Sequence, residues 1–327
     1  MEVLNSLTTS MSSPMVLAFI LGLIATLLKS DLKFPDGWYL GLTAYLLFAI
    51  GMKGGVKLSL VNISDIIKPA SIAILICICI PIWSYFILKK IGKFDIANAA
   101  GIAAHYGSVS VVTFSEASSR LDLLKVDYEG FMPSLLAIME IPAIIIALFI
   151  ARIAKKNDIN EEKVPIKKIL HELLTGKGTI LLVGGILIGI ISGKKGYEQV
   201  MPLFDAPFKG ILTLFLLEVG LVAGRRLGDL KKAGPFLILF GVLMPLIHGT
   251  IGIFLGSLVG LSLGGGTLFG VLCASASYIA APASVRIALP EASPTYYLTA
   301  SLAITFPFNV TIGLPIYYSI AKAIYGA

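Results

Sequence analysis

Gly51-Met52-Lys53-Gly54-Gly55-Val56-Lys57-Leu58 returns 169 positions later as Gly220-Leu221-Val222-Ala223-Gly224-Arg225-Arg226-Leu227. The same shift carries Ala103-Ala104-His105-Tyr106-Gly107-Ser108-Val109-Ser110 onto Leu272-Cys273-Ala274-Ser275-Ala276-Ser277-Tyr278-Ile279. Few residues are identical, but one offset keeps the hydropathy in phase through both stretches. Each copy holds five apolar stretches of membrane length. Five is odd, so the second copy must enter a bilayer from the opposite face to the first. Inverted repeats of this kind mark secondary transporters, which hold their substrate where the copies meet.

The composition agrees. Of 327 residues, 57% are hydrophobic and 14% charged, with a mean hydropathy of +0.91; soluble chains keep about a quarter of their residues charged. The expected fold class is an all-α polytopic membrane protein. Cys77, Cys79 and Cys273 all lie in apolar stretches, so no disulfide framework and no metal cluster is implied. The polar start, Met1 to Ser13, has no basic region, and a cleaved signal peptide is not expected.

A span needs about 20 apolar residues. Ten are read, at 14–29, 38–52, 66–88, 96–118, 131–152, 178–192, 207–224, 234–258, 265–286 and 294–320. They divide the chain into a first five-span repeat (1–157), a linker with a surface helix (158–177) and a second, inverted repeat (178–327). Nine Lys and Arg fall on loops facing the same side as the termini and 17 on the other side. Basic loops stay cytoplasmic, so both termini are expected outward from a bacterial cytoplasmic membrane. The net charge of +7 is thereby read as topology and not as nucleic-acid binding. The polar stretch from Arg152 to Lys177, with seven basic residues, fixes that topology or offers a docking surface to a cytoplasmic regulator.

Spans four and nine are interrupted. The first carries Tyr106-Gly107-Ser108-Val109-Ser110-Val111-Val112-Thr113, and the second Ser275-Ala276-Ser277-Tyr278-Ile279-Ala280-Ala281-Pro282-Ala283-Ser284. Proline cannot donate to the helical ladder, and a broken helix survives in a bilayer only where protein or a wet cavity surrounds it. Each break leaves a half-helix N-terminus with free N–H groups and a partial positive charge, which attracts a small anion. Two such ends would form a cradle, with Ser108, Ser110, Thr113, Ser275, Ser277 and Ser284 adding hydroxyls.

An ionisable residue at membrane depth is a functional candidate by default. Glu140, in Met139-Glu140-Ile141-Pro142, is the best placed; its repeat counterpart carries Thr305, Pro307 and Asn309. Carboxylate, amide and hydroxyl oxygens suit a hard cation, so Glu140, Thr305 and Asn309 are expected to hold sodium. Glu116 and Glu218 receive no definite role, and His105 and His248 are read as packing and hydrogen-bonding residues. His171-Glu172 starts like a zinc-protease motif, but Thr175 stands where the second histidine belongs. With no nucleophile–base pair either, an enzyme is not expected.

Gly107-Ser108-Val109-Ser110, Glu140-Ile141-Pro142-Ala143, Pro245-Leu246-Ile247-His248-Gly249 and Arg226-Leu227-Gly228-Asp229-Leu230, in this order and spacing, give the chain its likeness. It resembles the sodium-dependent bicarbonate transporters best known from cyanobacteria, through nearly its whole length. The resemblance implies a ten-span inverted repeat, a core domain moving against a gate domain, a homotrimer, sodium as coupling ion and a PII-like cytoplasmic regulator. Carried over by position, Gly107, Ser108, Val109, Ser110, Ser275, Ser277, Ile279 and Ala280 would bind the anion, with Thr113 joining the sodium ligands. Tyr278 stands where the cyanobacterial pattern has an aspartate, Val111-Val112 replace a Gly-Ser pair, and the middle loop is shorter. The expected function is sodium-coupled uptake of a small anion, bicarbonate first. Another anion or organic acid, or a channel or membrane sensor, are the alternatives.

Overall fold

The computed structural model describes residues 12–35, 37–154 and 165–327, and every regular element among them is helical. The segment 1–11, the domain boundary at residue 157, and linker residues 158–164, part of the expected docking surface, lie outside the described residues. The chain begins with α1 (Pro14–Leu27), α2 (Trp38–Leu58) and α3 (Ile63–Lys90). Span four is two helices, α4 (Ile96–Gly107) and α5 (Val111–Leu123). Span five also divides, into α6 (Met132–Glu140) and α7 (Pro142–Ala154). The amphipathic end of the linker forms α8 (Ile166–Thr175). Then follow α9 (Lys177–Phe204), α10 (Phe208–Arg226) and α11 (Leu230–Leu258). Span nine is α12 (Leu263–Ala274) and α13 (Ala280–Ala288), and α14 (Pro294–Tyr325) passes through π-helical turns at Thr299–Thr305 and Asn309–Gly313. Span six, expected to end at 192, continues in α9 after a turn at Gly193, whose φ of 58° is easy only for glycine.

Six helical stretches among the described residues are long and apolar enough to cross a membrane, and α1 and α12 are shorter apolar helices. Large apolar side chains such as Leu21, Leu75, Phe86, Leu187 and Phe254 stand exposed on the outside of these helices. In water such a surface would drive association; against lipid tails it costs nothing. The protein is a helical membrane protein.

Two bodies pack together. In one, α1 lies along α10 and α2 along α9, and α10 touches α2. Both contacts are made by facing glycines. A Cβ on Gly22 would strike the Leu217 carbonyl, and one on Gly220 the Phe19 carbonyl; likewise Gly51 meets the Leu182 carbonyl and Gly185 that of Phe48. In all four cases the obstructing carbonyl lies three residues before the facing glycine. Small residues let backbones approach this closely where no water drives helices together.

The second body gathers α3 to α7 and α11 to α14 around a continuous apolar cluster that includes Ile80, Ile102, Leu136, Phe269 and Tyr297. Prolines interrupt its helices, and neighbouring hydroxyls donate to carbonyls at the interruptions. Pro245 cannot bond the Gly241 carbonyl in α11, and the Thr305 hydroxyl donates to that carbonyl instead, at 2.7 Å. Pro142 ends α6, and the freed Glu140 carbonyl accepts from the Ser108 hydroxyl at 2.7 Å.

Between the bodies lies an apolar seam. Phe19, Leu46, Leu212, Phe215 and Val219 of the first body meet Val112, Tyr278, Leu302, Phe306 and Val310 of the second. The Phe306 ring sits edge-on to both Phe19 and Tyr278, with centroids 5.5 and 5.3 Å away.

Gly220→Val should lower the thermal unfolding midpoint of the detergent-solubilised protein, because overpacking of this kind costs about 1–3 kcal/mol. Gly184→Ala, which meets open space in α9, should match or slightly exceed the wild type. Equal midpoints for both variants would show that the glycine contacts do not hold the first body together.

Candidate functional site

The two broken helices are built alike. Asp95 caps α4 by accepting from the Asn98 N–H, and Ser262 caps α12 by accepting from the Gly265 N–H. The helices end at Ser108 and Ser275, with φ/ψ of −92°/168° and −84°/163°. Both pairs, Asp95 with Ser262 and Ser108 with Ser275, differ by 167 positions. The caps thus pair these two broken helices at an offset of 167, two short of the 169 that set Ser108 against Ser277 in the sequence. Hydropathy tolerates a slip of two within an apolar stretch, whereas the caps fix the register.

After the caps the copies diverge. The first break is Ser108 to Ser110, and the second runs from Ser275 to Ile279. Pro282, expected to break span nine, sits in the first turn of α13, where its missing N–H removes no helical bond. The break precedes it.

The breaks cross and bond to each other. The Ser110 N–H donates to Ser275 Oγ at 2.9 Å, and the Ser277 N–H donates to the His105 carbonyl at 2.8 Å. Ser275 Oγ in turn donates to the Leu272 carbonyl at 2.9 Å. The next half-helices are capped from within: Ser110 Oγ accepts from Thr113 N and Oγ1 at 3.3 and 3.0 Å, and Ser277 Oγ accepts from Ala281 N at 3.3 Å. The last carbonyl of α12, Ala274, accepts from Asn309 Nδ2 at 2.9 Å, and the Tyr317 hydroxyl donates to Asn309 Oδ1 at 2.8 Å. A Cβ on Gly107 would collide with Pro81 and Ala143, so only glycine fits where α4 ends against α3 and α7.

Between the crossing breaks is a cavity of about 10 Å³, whose lining includes Val109, Ser110, Glu140, Ser277, Tyr278 and Ile279. The starts of α5 and α13 both border it, through Val111 and Ala280. Two positive half-helix ends thus face one small space, an arrangement suited to a small anion. Its volume matches about one water molecule. A dehydrated monovalent cation fits; a triatomic or larger anion needs the cavity to widen. Glu140 is 4% exposed, and its Oε2 has no hydrogen-bond partner. Its Oε1 lies near Gly178 in the first turn of α9, where an added Cβ would sit 3.3 Å from it. The carboxylate therefore bridges the second body and the first.

Two larger recesses lie toward opposite ends of α2, and one of them adjoins the cavity. One, of about 650 Å³, is lined by Thr43, Thr179, Ala283 and Ser284, and shares Leu47, Ile279 and Ala280 with the cavity. The other, of about 450 Å³, is lined by Lys53, Lys57, Phe114, Asp122 and Asp205. There Lys53 pairs with Asp205 at 2.6 Å, and the Lys57 ammonium lies 5.1 Å from the centre of the Tyr128 ring.

Of the residues named from sequence, Val109, Ser110, Ser277, Ile279, Ala280 and Glu140 line the cavity. Gly107, Ser108 and Ser275 stand behind it and hold its walls. The expected sodium ligands do not assemble: Thr113 caps α5, and Asn309 is bound to Ala274 and Tyr317. Thr305 lies 2.6 Å from the Tyr106 hydroxyl and donates to Gly241. Glu140 alone of the four borders the cavity. Glu116 is buried on α5, and Glu218 lies in a separate recess beside Arg225. His105 and His248 bond as packing residues do: the Trp83 indole N–H donates to His248 Nε2 at 2.7 Å, and His105 stacks on Tyr297. Leu47, which separates the cavity from the 650 Å³ recess, carried no signal in the sequence, being one leucine among many.

Two broken helices meeting at an ion-sized cavity are the arrangement in which secondary transporters hold substrate and coupling ion. The chain belongs to the Na+-dependent bicarbonate transporter superfamily, whose family model matches residues 14–322. Comparison with curated proteins gives no match.

Ser275→Ala should lower the thermal midpoint, because the buried Ser110 N–H loses its acceptor at a cost of about 1–3 kcal/mol. Ser275→Thr, which keeps the hydroxyl, should restore most of the loss. If alanine and threonine unfold together at the wild-type temperature, the crossing bond contributes nothing.

Proposed function

We propose that the protein is a sodium-coupled symporter that takes up a small anion, bicarbonate first, by alternating access. The observation that carries this reading is the convergence of both half-helix N-termini, Ser110, Ser277 and Glu140 on one small cavity that adjoins the 650 Å³ recess. Membership of a bicarbonate transporter superfamily supplies the substrate class and the ion.

On this reading, sodium enters first and balances the Glu140 carboxylate. That removes the one fixed negative charge beside the cradle, and the anion then finds two helix ends and two hydroxyls. Bicarbonate can donate its own hydrogen bond to a serine oxygen while its charged oxygens accept N–H groups. Leu47 and Ile279 separate the cavity from the 650 Å³ recess, so widening follows when the second body shifts along α2. The apolar seam of Phe19, Leu46 and Phe215 against Tyr278 and Phe306 suits such a shift, since its contacts have little directionality. The first body then acts as gate and the second as core.

The matched glycine contacts of α1 with α10 and α2 with α9 support the inverted repeat, because the first helix of each half packs on the second helix of the other. Ten spans follow if each broken helix counts once. The basic-loop asymmetry favours both termini outward in a bacterial cytoplasmic membrane. The homotrimer and the PII-like regulator rest on the family resemblance alone. A small carboxylate is the second reading: Val109, Tyr278 and Ile279 give the cavity an apolar wall that bicarbonate does not need.

Purified protein in liposomes should concentrate labelled bicarbonate with a sodium gradient and fail to do so with choline. Equal flux in both would sink the symport mechanism, and competition by acetate or chloride in the same vesicles would reassign the anion. Glu140→Gln should raise the half-saturating sodium concentration by about tenfold or more, the cost of removing a charged ligand of about 1.5–3 kcal/mol. An unchanged sodium dependence would take Glu140 out of the ion site.

A further inference from the structure

A third recess, of about 320 Å³, lies away from the transport cavity, where α10 passes the segment joining α1 and α2. Its lining includes Lys33, Gly37, Glu218, Leu221 and Arg225. Among the described residues, two cationic side chains and one carboxylate line this small space, and the carboxylate is the buried member. Glu218 is 9% exposed, and its Oε2 has no hydrogen-bond partner. Leaving such an oxygen unpaired costs more than pairing it. On the other side, α2 starts at Gly37, which also lines the recess, so the positive end of a 21-residue helix faces the same region.

The surroundings place this recess at the level of lipid headgroups. Phe34, which also lines it, stacks on Trp38 with ring centroids 5.8 Å apart and planes 7° apart. Exposed aromatic pairs gather at the membrane–water interface. Leu27, Leu28 and Leu32, next to it in the chain, are exposed and offer an apolar bed for acyl chains.

We propose that this recess binds the headgroup of an aminophospholipid. The phosphate takes Lys33, Arg225 and the first turn of α2, and the primary ammonium takes the free Glu218 oxygen. A simple anion would meet the carboxylate, and a simple cation would meet Lys33 and Arg225. A headgroup carrying both signs satisfies each. The ammonium must also donate hydrogen bonds to fill the unpartnered oxygen, which a trimethylated choline headgroup cannot do. Bound there, the lipid would tie the α1–α2 segment to α10 and steady the gate, without touching the cavity.

The test uses the full-length protein in detergent and native mass spectrometry, with short-chain phosphatidylethanolamine, phosphatidylcholine and phosphatidylglycerol as separate probes. The wild type should retain phosphatidylethanolamine about tenfold better than phosphatidylcholine, as a charge-assisted hydrogen bond allows. Glu218→Gln should bring that ratio close to one and spare or strengthen phosphatidylglycerol binding. Arg225→Gln and Lys33→Gln should each weaken all three lipids; Lys33, on an exposed segment, keeps the phosphate arm testable if the α10 variants fail to fold. Equal retention of the two zwitterionic lipids by the wild type would overturn the proposal, as would an intact preference in Glu218→Gln. Complete displacement of phosphatidylethanolamine by equimolar inorganic phosphate would assign the recess to a free anion instead.

Discussion

Two hydrogen bonds between crossing chain breaks, Ser110 N–H to Ser275 Oγ and Ser277 N–H to the His105 carbonyl, are the constraint on which this fold depends. A helix interrupted inside a bilayer exposes groups that no water can satisfy. Either break alone would leave extended backbone with no partner. Crossing them lets each supply what the other lacks. The donors and acceptors at the break ends are then absorbed further out: Asn309 takes the Ala274 carbonyl, and Ser108 takes the Glu140 carbonyl. Each of these partners sits at another proline- or π-disturbed segment, so irregular backbone in one helix is repeatedly matched to irregular backbone in its neighbour.

This accounting also decides what is left over. Most hydroxyls and amides near the centre are committed to holding backbone. The Glu140 carboxylate and the half-helix ends at Val111 and Ala280 remain directed at the cavity. Thr305 and Asn309 have chemistry that suits sodium, but their oxygens are engaged by the Tyr106 and Tyr317 hydroxyls, with which a cation would have to compete. In a low-dielectric core, structural bonding competes with ion binding for the same few atoms.

Much of the architecture was legible because it follows from periodicity and length. The boundaries of α1, α4 to α7 and α10 to α13 fall close to the apolar stretches. The interrupted spans were marked by Gly107, Pro282 and the serines around them. Register was harder: a hydropathy match fixes which helix corresponds to which but not which residue, and two residues of slip passed unseen until the caps at Asp95 and Ser262 located it. Pro282 misled for a related reason. A proline signals that a helix does not continue through it, but it can stand just inside a helix start as readily as at a break. The partners of Thr305 and Asn309 were invisible, because contacts such as Tyr106 with Thr305 join residues 199 positions apart.

Tyr278 brings these strands together. In the pattern this chain resembles, an aspartate stands here and would add a second fixed negative charge beside Glu140. Here the side chain instead packs edge-on against Phe306 in the seam between the bodies. A charge at that point would have to be desolvated each time the bodies closed, and an aromatic ring does not. With an aromatic ring in place of a second carboxylate, Glu140 is the one acidic side chain among the described residues lining the cavity. The same exchange makes the seam more apolar. Under the proposed symport mechanism, Tyr278→Asp would therefore alter the charge at the cavity and the packing of the seam together.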